Sequence, residues 1–295
     1  MIVARIFGGL GNQMFQYAAG RALALRHRTD LALDLRAFES YALHRYALSR
    51  LRIEARVAGP AELRRHGRRK LALISRLPLG RVRRYHVERT FGARAGWARV
   101  PADAYLSGYF QSEFFFAEAA ERLRYEFLPL AALGRANEEA LALIAGCESV
   151  ALHVRRGDYV SDKATLDIHG ACSAGYYRHA VELMRERVRA PRFFVLSNDL
   201  DWARHNLALS GDTVFVDWNA SSPELDLHLM SRCRHHVIAN STFSWWGAWL
   251  ASHPGQVVIA PRPWFDSRAL DDSGVLPPRW TRIDKDPRGD VGRAD

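Results

Sequence analysis

Residues 150–159 read Val-Ala-Leu-His-Val-Arg-Arg-Gly-Asp-Tyr, a short and mostly apolar run that ends in a pair of arginines. A run of this length bounded by turn residues is typical of a strand buried in a parallel sheet. Strands that alternate with helices predict a parallel sheet covered by helices. Further apolar runs lie at 193–197, 213–217, 236–239 and 257–260, with helical patterns at 175–187, 199–207, 223–233 and 242–252.

The N-terminal half starts with the same alternation of strands and helices. Strands are predicted at 2–7, 31–35 and 105–110, and a helix at 13–27. Residues 40–100 are basic and are predicted to be helical, although their apolar residues have poor helical periodicity. Asp284-Lys285-Asp286, near the end of the sequence, is predicted to be part of a tail. The fold class is therefore α/β, with two Rossmann-type domains that face a cleft. Because 295 residues exceed the usual size of one domain, we place these domains at 1–145 and 146–295.

Composition, the N-terminal residues and the cysteine spacing indicate a globular protein of the cytoplasm. The chain is 48% hydrophobic and 25% charged, as packed globular proteins are. Residues 235–261 carry no Asp, Glu, Lys or Arg, but polar residues and a proline interrupt them, so we predict buried core there. The first residues lack a basic leader, and the three cysteines lack Cys-x-x-Cys spacing, so we predict a cytoplasmic protein.

The net charge of +10 is concentrated in residues 50–99, which hold fifteen Arg or Lys and three Glu. Such a segment can bind anionic lipid, at about 1 kcal/mol per basic residue, or nucleic acid. A solvated helix face explains the same charges. Because no helix-turn-helix, zinc or RNA-binding motif accompanies them, we predict no nucleic-acid partner. The solvated face is the preferred interpretation, and peripheral membrane contact through residues 50–99 is the alternative.

The arginine motif, residues 153–159, follows a predicted strand at the point where parallel sheets bind ligands. Arg155 and Arg156 are suited to a diphosphate, because each guanidinium binds phosphate through two hydrogen bonds worth about 1.5–3 kcal/mol each. One arginine could instead pair with Asp158.

Two further segments also follow predicted strands. Asn240-Ser241-Thr242-Phe243-Ser244 leads into a helix, where hydroxyls and free N–H groups bind phosphate oxygens or simply cap the helix. Gly8-Gly9-Leu10-Gly11-Asn12-Gln13 lacks the lysine of a P-loop. It permits close approach of a sugar to the Asn12 amide, or forms an ordinary tight turn.

Asp199 and Asp201 form an Asp-x-Asp sequence after another predicted strand, as in sugar transferases that bind a divalent ion on the diphosphate. This metal-dependent reaction is the main alternative. Asp201 could instead stabilise a helix start, and Asp199 could accept hydrogen bonds from guanine.

These motifs together closely resemble the bacterial α-1,2-fucosyltransferases of glycosyltransferase family 11. The arginine motif is shared more widely with α-1,6- and protein O-fucosyltransferases, whereas the combination of motifs is more specific. The matching segments are GGLGNQMFQY (8–17), LSGYFQSEFF (106–115), HVRRGDY (153–159), FVLSNDLDW (194–202) and HLMSRCRHHVIANSTFSWWGAWL (228–250).

The resemblance implies a GT-B-like fold and inverting transfer of L-fucose from GDP-fucose without metal or cofactor. The acceptor it implies is the 2-hydroxyl of a terminal galactose in a surface glycan, which can be lipid-linked. By resemblance, the GDP-fucose ligands are Asn12 near the fucose, His153, Arg155 and Arg156 at the diphosphate, Asp199 near guanine, and Ser241, Thr242 and Ser244 near the phosphates.

Inverting transfer requires stabilisation of the departing diphosphate, which assigns the main catalytic role to Arg155. We predict Asp158 as the general base, with Asp162 or no carboxylate at all as alternatives. A fucosyltransferase of another linkage and a basic protein that binds membranes or nucleic acid also remain open.

Overall fold

The computed structural model describes residues 1–40, 44–66, 84–88, 91–92, 94–157, 162–209 and 211–287. The chain divides into two compact units. The first is Met1–Leu130 with Ser273–Val275, and the second is Ala131–Asp272 with Leu276–Asp295. The helix at 134–145, which precedes the boundary expected at residue 145, belongs to the second unit.

The first unit contains a parallel sheet with the strand order β3-β2-β1-β5-β4. Helix α1, Leu10–His27, follows β1 and is buried along most of its length. A Cβ atom at Gly20 would lie 2.9 Å from Leu31 Cδ1, so this glycine lets the helix approach the sheet closely. The strands are β1 Ile2–Arg5, β2 Leu31–Asp34, β3 Arg56–Val57, β4 Tyr85–Val87 and β5 Ala104–Ser107, and the other helices are α2 Pro60–His66 and α3 Ala120–Glu126.

The second unit contains a parallel sheet with the strand order β11-β10-β9-β6-β7-β8. Its strands are β6 Glu148–Val154, β7 Pro191–Ser197, β8 Val214–Phe215, β9 His235–Val237, β10 Val258–Arg262 and β11 Thr281–Asp284. Its helices are α4 Gly134–Ala145, α5 Lys163–His169, α6 Ala174–Arg187, α7 Leu200–Asn206, α8 Pro223–Arg232 and α9 Thr242–Leu250.

Strand β6 is buried on both faces, because helices cover the sheet on each side. Val150, Leu152 and Val154 pack in one apolar cluster with α6. Ala151, from the opposite face, packs in a second cluster with residues of α4 and α8. Successive side chains of a strand point to opposite faces. The near-continuous apolar sequence of β6 therefore reflects burial on both sides, as predicted.

Two predictions about the chain need correction. Residues 40–100 were predicted to be helical, but their described part contains β3, β4 and only one α-helix, α2; residues 67–83 lie outside the described part. Asp284 was predicted to lie in a tail, but it ends β11, which pairs with β10, and the Lys285 side chain is buried. Both errors concern strands held in place by a neighbouring strand and not by their own apolar pattern.

No helix within the described ranges is long and apolar enough to cross a membrane. Residues 235–261, which lack charged side chains, form β9, α9 and most of β10. Apart from the exposed residues 252–255, most of them are buried in the second unit, as predicted.

Candidate active site

The carboxyl ends of β6, β7 and β9 lie side by side at one edge of the second sheet, because these strands are parallel neighbours. The segments that follow them contain the predicted donor ligands of the second unit. Contacts link these segments directly. The rings of His153 and Phe243 lie 5.5 Å apart, and Arg156 Nε lies 3.9 Å from Asp199 Oδ2.

His153 is a buried imidazole near the end of β6. Burial, and then the positive charge of Arg155, lower its pKa to about 3, so the ring is neutral near pH 7. Among the described residues its Nδ1 atom has no hydrogen-bond partner. A buried polar atom without a partner costs about 1–3 kcal/mol, so this nitrogen is suited to a polar ligand.

Arg156 is held on two sides by residues that follow β7. Its guanidinium carbon lies 4.1 Å from the centre of the Trp202 ring, and its Nε faces the Asp199 carboxylate. Burial lowers the pKa of Arg156, although Asp199 opposes this effect. An arginine pre-oriented by stacking can bind an anion with little further loss of freedom.

Arg155 is half-buried, and its charge contributes to the low pKa of His153, so it lies near that ring. Arg155 and Arg156 therefore have different surroundings, the first near the His153 ring and the second against the Trp202 ring. Asp158, the predicted base and alternative partner of an arginine, lies outside the described residues.

Gly157 shapes the turn after the two arginines. Its φ of +37° favours glycine, and a Cβ atom there would lie 2.1 Å from Asn198 Nδ2. Asn198 Oδ1 also accepts a hydrogen bond of 3.0 Å from the Arg156 backbone N–H. The loop after β6 is thereby attached to the loop after β7.

The polar residues of the segment after β9 differ in their hydrogen bonds. Ser241 precedes α9 without a side-chain capping bond, and Thr242 is the half-buried first residue of the helix. Ser244 is fully buried and donates to the carbonyl oxygens of Ala239 and Ser241, both at 3.1 Å. Ser244 therefore stabilises the turn, while Ser241 and Thr242 stand at the start of the helix.

Asn240 and Lys285 hold the loops at this edge of the sheet, a role that the sequence did not predict for either residue. Asn240 Nδ2 donates to the carbonyl oxygens of His169 at 2.7 Å and Gly170 at 3.0 Å. Lys285, expected in a tail, donates to the same His169 carbonyl and forms an ion pair of 2.7 Å with Asp266. No sequence signal marked Lys285, since an isolated lysine near a chain end is usually exposed.

Asp199 and Asp201 have separate partners. Asp199 Oδ1 accepts from Trp202 N at 3.1 Å, while its other oxygen faces Arg156. The Asp201 side chain is 90% exposed and lies 3.5 Å from Arg204. Within the described ranges no group of three or more His, Cys, Asp or Glu side chains could hold a metal ion.

Asn12 belongs to the first unit, in the first turn of α1 after the glycine turn. The neighbouring Gln13 holds that turn, donating to the Gly8 and Arg45 carbonyls and accepting from Ala47 N at 2.9 Å. The Asn12 side chain accepts a hydrogen bond of 2.9 Å from Gln111 Nε2. Gln111 lies in a matching motif but was not singled out from the sequence.

Sequence comparisons with known proteins identify a family and several relatives. The profile of "Glycosyl transferase family 11" matches residues 2–284. An alpha-1,2-colitosyltransferase of Escherichia coli is 35% identical, over 97% of this chain and 99% of the relative. The galactoside alpha-(1,2)-fucosyltransferase 1 of Aotus azarae is 31% identical, over 83% of this chain and 63% of that longer protein.

Among solved structures, a mutant form of FUT1 from Arabidopsis thaliana in complex with GDP has a TM-score of 0.51 at 12% identity. The match covers 92% of this chain and 72% of that chain, and it concerns the fold alone. The predicted α/β, GT-B-like fold class is confirmed. Since the family profile spans nearly the whole chain and the relatives exceed 30% identity, the chain belongs to glycosyl transferase family 11, a family of enzymes that includes α-1,2-fucosyltransferases.

Proposed function

We propose that this enzyme transfers L-fucose from GDP-fucose to the 2-hydroxyl of a galactose-terminated acceptor, with inversion and without a metal ion. The observation that carries the proposal is the arrangement after β6 and β7. There, half-buried Arg155 lies near a neutral imidazole whose Nδ1 has no partner among the described residues. Half-buried Arg156 is held beside it by Trp202 and Asp199. Fixed positive charge beside a neutral hydrogen-bonding ring is suited to a nucleoside diphosphate.

In the proposed reaction, the bond between the anomeric carbon and the β-phosphate oxygen breaks as the acceptor oxygen forms a new bond on the opposite face. The departing GDP gains negative charge, and the Arg155 guanidinium stabilises it. Arg156, held by Trp202 and Asp199, orients the diphosphate. Ser241 and Thr242 supply further donors at the start of α9, and Asp199 accepts from guanine.

The acceptor proton passes to Asp158 in this proposal. The alternative base, Asp162, is less suitable because its carboxylate already accepts hydrogen bonds from Thr165 Oγ1 at 2.6 Å and Ala164 N at 3.2 Å. These bonds hold the pKa of Asp162 below its ordinary value, which makes it a weaker proton acceptor.

A second donor, GDP-colitose, is a candidate because the colitosyltransferase of Escherichia coli is 35% identical over nearly the whole chain. Colitose is fucose without its 3-hydroxyl, so the two donors share the same diphosphate chemistry. They differ only in what the sugar subsite must accommodate. The lipid-linked form of the acceptor and membrane contact through residues 50–99 are further parts of the proposal.

The test is release of GDP from GDP-fucose and GDP-colitose with a panel of galactose-terminated acceptors, in excess EDTA. GDP-mannose and UDP-galactose serve as control donors. We expect acceptor-dependent turnover that EDTA does not reduce. Loss of turnover in EDTA would instead favour the metal-dependent reaction through Asp199 and Asp201.

Arg155→Lys tests the role of the guanidinium itself. Lysine keeps the charge but cannot donate two parallel hydrogen bonds to phosphate. Losing one charge-assisted bond of about 1.5–3 kcal/mol corresponds to a decrease in kcat of roughly 10- to 150-fold. Retained kcat at an unchanged melting temperature would contradict the assignment, and Arg135→Lys, at an exposed position of α4, is the matched control.

A further inference from the structure

The turn that follows β5 is held in an unusual conformation by its surroundings. Phe110 has a φ of +52°, in the region that favours glycine, although its ring is buried. The Glu88 carboxylate accepts from the backbone N–H groups of Tyr109 at 2.6 Å and Phe110 at 3.0 Å. The Phe110 ring also packs against Phe115, with ring centres 5.4 Å apart. Backbone strain fixed in this way is common at binding sites.

This turn presents Gln111 to the glycine turn of β1, which is the neighbouring strand. Gln111 is only 6% exposed, and its Nε2 donates to Asn12 Oδ1 at 2.9 Å. Its Oε1 atom is buried and has no hydrogen-bond partner in the part of the chain that the structure describes. Such an oxygen lowers stability unless a ligand supplies a donor.

The paired amides still offer both an acceptor and a donor to a ligand. With one N–H of Gln111 donating to Asn12, Gln111 Oε1 can accept a hydrogen bond and Asn12 Nδ2 can donate one. Turning both amides over exchanges their roles but still leaves an amide oxygen on one residue and an amide NH2 on the other. Neighbouring hydroxyls of a pyranose ring, each of which donates and accepts, match this pair. Because both amides are neutral, the pair is better suited to a sugar than to a phosphate.

An exposed aromatic ring stands on the same turn. The Tyr109 side chain is 40% exposed and meets the Phe7 ring edge-to-face at 5.0 Å. A tyrosine placed this way offers an apolar face with a polar tip, which suits the mixed surface of a sugar. Tyr109, Gln111 and Asn12 thus combine an aromatic face with directed hydrogen-bonding groups.

We propose that Gln111 and Asn12 form a sugar-binding subsite of the first unit, in which Gln111 Oε1 accepts a hydrogen bond from a pyranose hydroxyl. Asn12 Nδ2 donates to the neighbouring sugar oxygen, beside the Tyr109 ring. The sugar is the transferred residue of the donor or the terminal residue of the acceptor, and to that extent the inference rests on the proposed function.

The test uses the full chain and the variant Gln111→Met, which keeps the side-chain length but removes both polar atoms. Saturation-transfer NMR with L-fucose and with a β-galactoside, each in the presence of GDP, measures sugar binding without requiring turnover. We expect the parent to give a signal for one sugar and Gln111→Met to lose most of it. The sugar affected identifies the source, fucose for the donor and galactoside for the acceptor.

Kinetics and stability separate a binding role from a structural one. In Gln111→Met, KM for the same sugar substrate should rise about fivefold, the effect of one neutral hydrogen bond. The melting temperature should change little, because the variant loses the hydrogen bond to Asn12 but also removes a buried unpartnered oxygen. Gln256→Met is the control: this glutamine donates to the Ala248 carbonyl at 2.8 Å, so its loss should lower the melting temperature and leave KM unchanged.

Two results would overturn the subsite: equal sugar signals in the parent and Gln111→Met, or no signal for either sugar in the parent. A lower melting temperature with unchanged KM values would assign Gln111 a purely structural role. Failure of the proposed function would give a different result. The enzyme would then show no turnover with any pair of GDP-sugar and acceptor, while the sugar NMR signal would still depend on Gln111.

Discussion

At the scale of single residues, His153 and His236 are two buried imidazoles of one sheet that differ in their partners. The His236 ring contacts the Met230 carbonyl oxygen at 2.8 Å and the Gln256 amide at 3.1 Å. His153 has a nitrogen without a partner among the described residues. Burial lowers the pKa of both rings, to about 3 for His153 and about 4 for His236, so both are neutral at pH 7.

We therefore expect His153→Phe to weaken GDP binding while the fold is retained. Phenylalanine keeps the packing against Phe243 but removes the ring nitrogens, at a cost of about 1–2 kcal/mol, or roughly 5- to 30-fold in Kd for GDP. Calorimetric titration with GDP measures this change. His236→Phe should show the reverse, a lower melting temperature with unchanged Kd, and an unchanged Kd in His153→Phe would remove this ring from the donor site.

The candidate site could be predicted from sequence only where the residue type itself indicates a binding function. Arg155, Arg156 and Ser241 stood out because charged or hydroxyl side chains followed predicted strands. Ser244 matched the same pattern, yet its hydroxyl is buried against two carbonyl oxygens. Gln111 carried no such mark, because a glutamine is ordinary until its surroundings leave an amide oxygen buried without a partner.

At the scale of elements, the start of α8 brings an acidic side chain into a half-buried position. Asp226 lies in the first turn and accepts a hydrogen bond of 3.0 Å from Asn219 Nδ2. Burial raises its pKa to about 6, although the bond from Asn219 opposes the shift. The native state therefore prefers protonated Asp226. Its contribution to stability is complete below pH 3.8 and is lost as pH rises through about 6.

Asp226→Asn should consequently stabilise the protein at pH 8 and have little effect at pH 4. The amide oxygen can still accept from Asn219, and the charge no longer has to be buried. The pKa shift corresponds to about 3 kcal/mol at most, which the favourable field of the helix start reduces to about 1–2 kcal/mol.

Urea unfolding at the two pH values measures the change for Asp226→Asn. Asp201→Asn makes the same substitution in the first turn of α7, where the side chain is exposed, so it should not stabilise at either pH. Equal stability of Asp226→Asn and the parent at pH 8 would contradict the expected burial of charge.

Elements with their own apolar pattern were predictable, and those that depend on a neighbour were not. Strands β6 and β7 are runs buried on both faces, and their sequences alone identified them. Strand β3 consists of Arg56 and Val57, both exposed, and exists because it pairs with β2. Strand β11 has exposed Arg282 and Asp284 and pairs with β10, so its sequence resembles a loop. Pairing partners distant in sequence leave no local signal.

At the scale of the whole molecule, charge is distributed unevenly along the chain. Residues 50–99 hold fifteen of the 42 Arg and Lys residues but only three of the 32 Asp and Glu residues. In the described part, some of these arginines already pair with acids, as Arg56 does with Glu62 and Arg65 with Asp103. Membrane attraction should therefore depend on the local cluster of Arg68, Arg69 and Lys70, which lies outside the described residues, more than on net charge.

A comparison of two triple variants with equal charge change tests this expectation. Replacing Arg68, Arg69 and Lys70 with Ala should weaken binding to phosphatidylserine vesicles by about 150-fold, at about 1 kcal/mol for each basic residue. The exposed Arg135, Arg187 and Arg189 of the second unit provide the control triple, which should bind vesicles nearly as the parent does. Vesicle cosedimentation at low and physiological salt gives both values, while turnover of a soluble acceptor should stay unchanged in each variant.

Equal losses of vesicle binding in the two triple variants would mean that net charge alone attracts the protein. Stronger binding to duplex DNA than to vesicles, lost in the first triple, would identify nucleic acid as the partner of this segment.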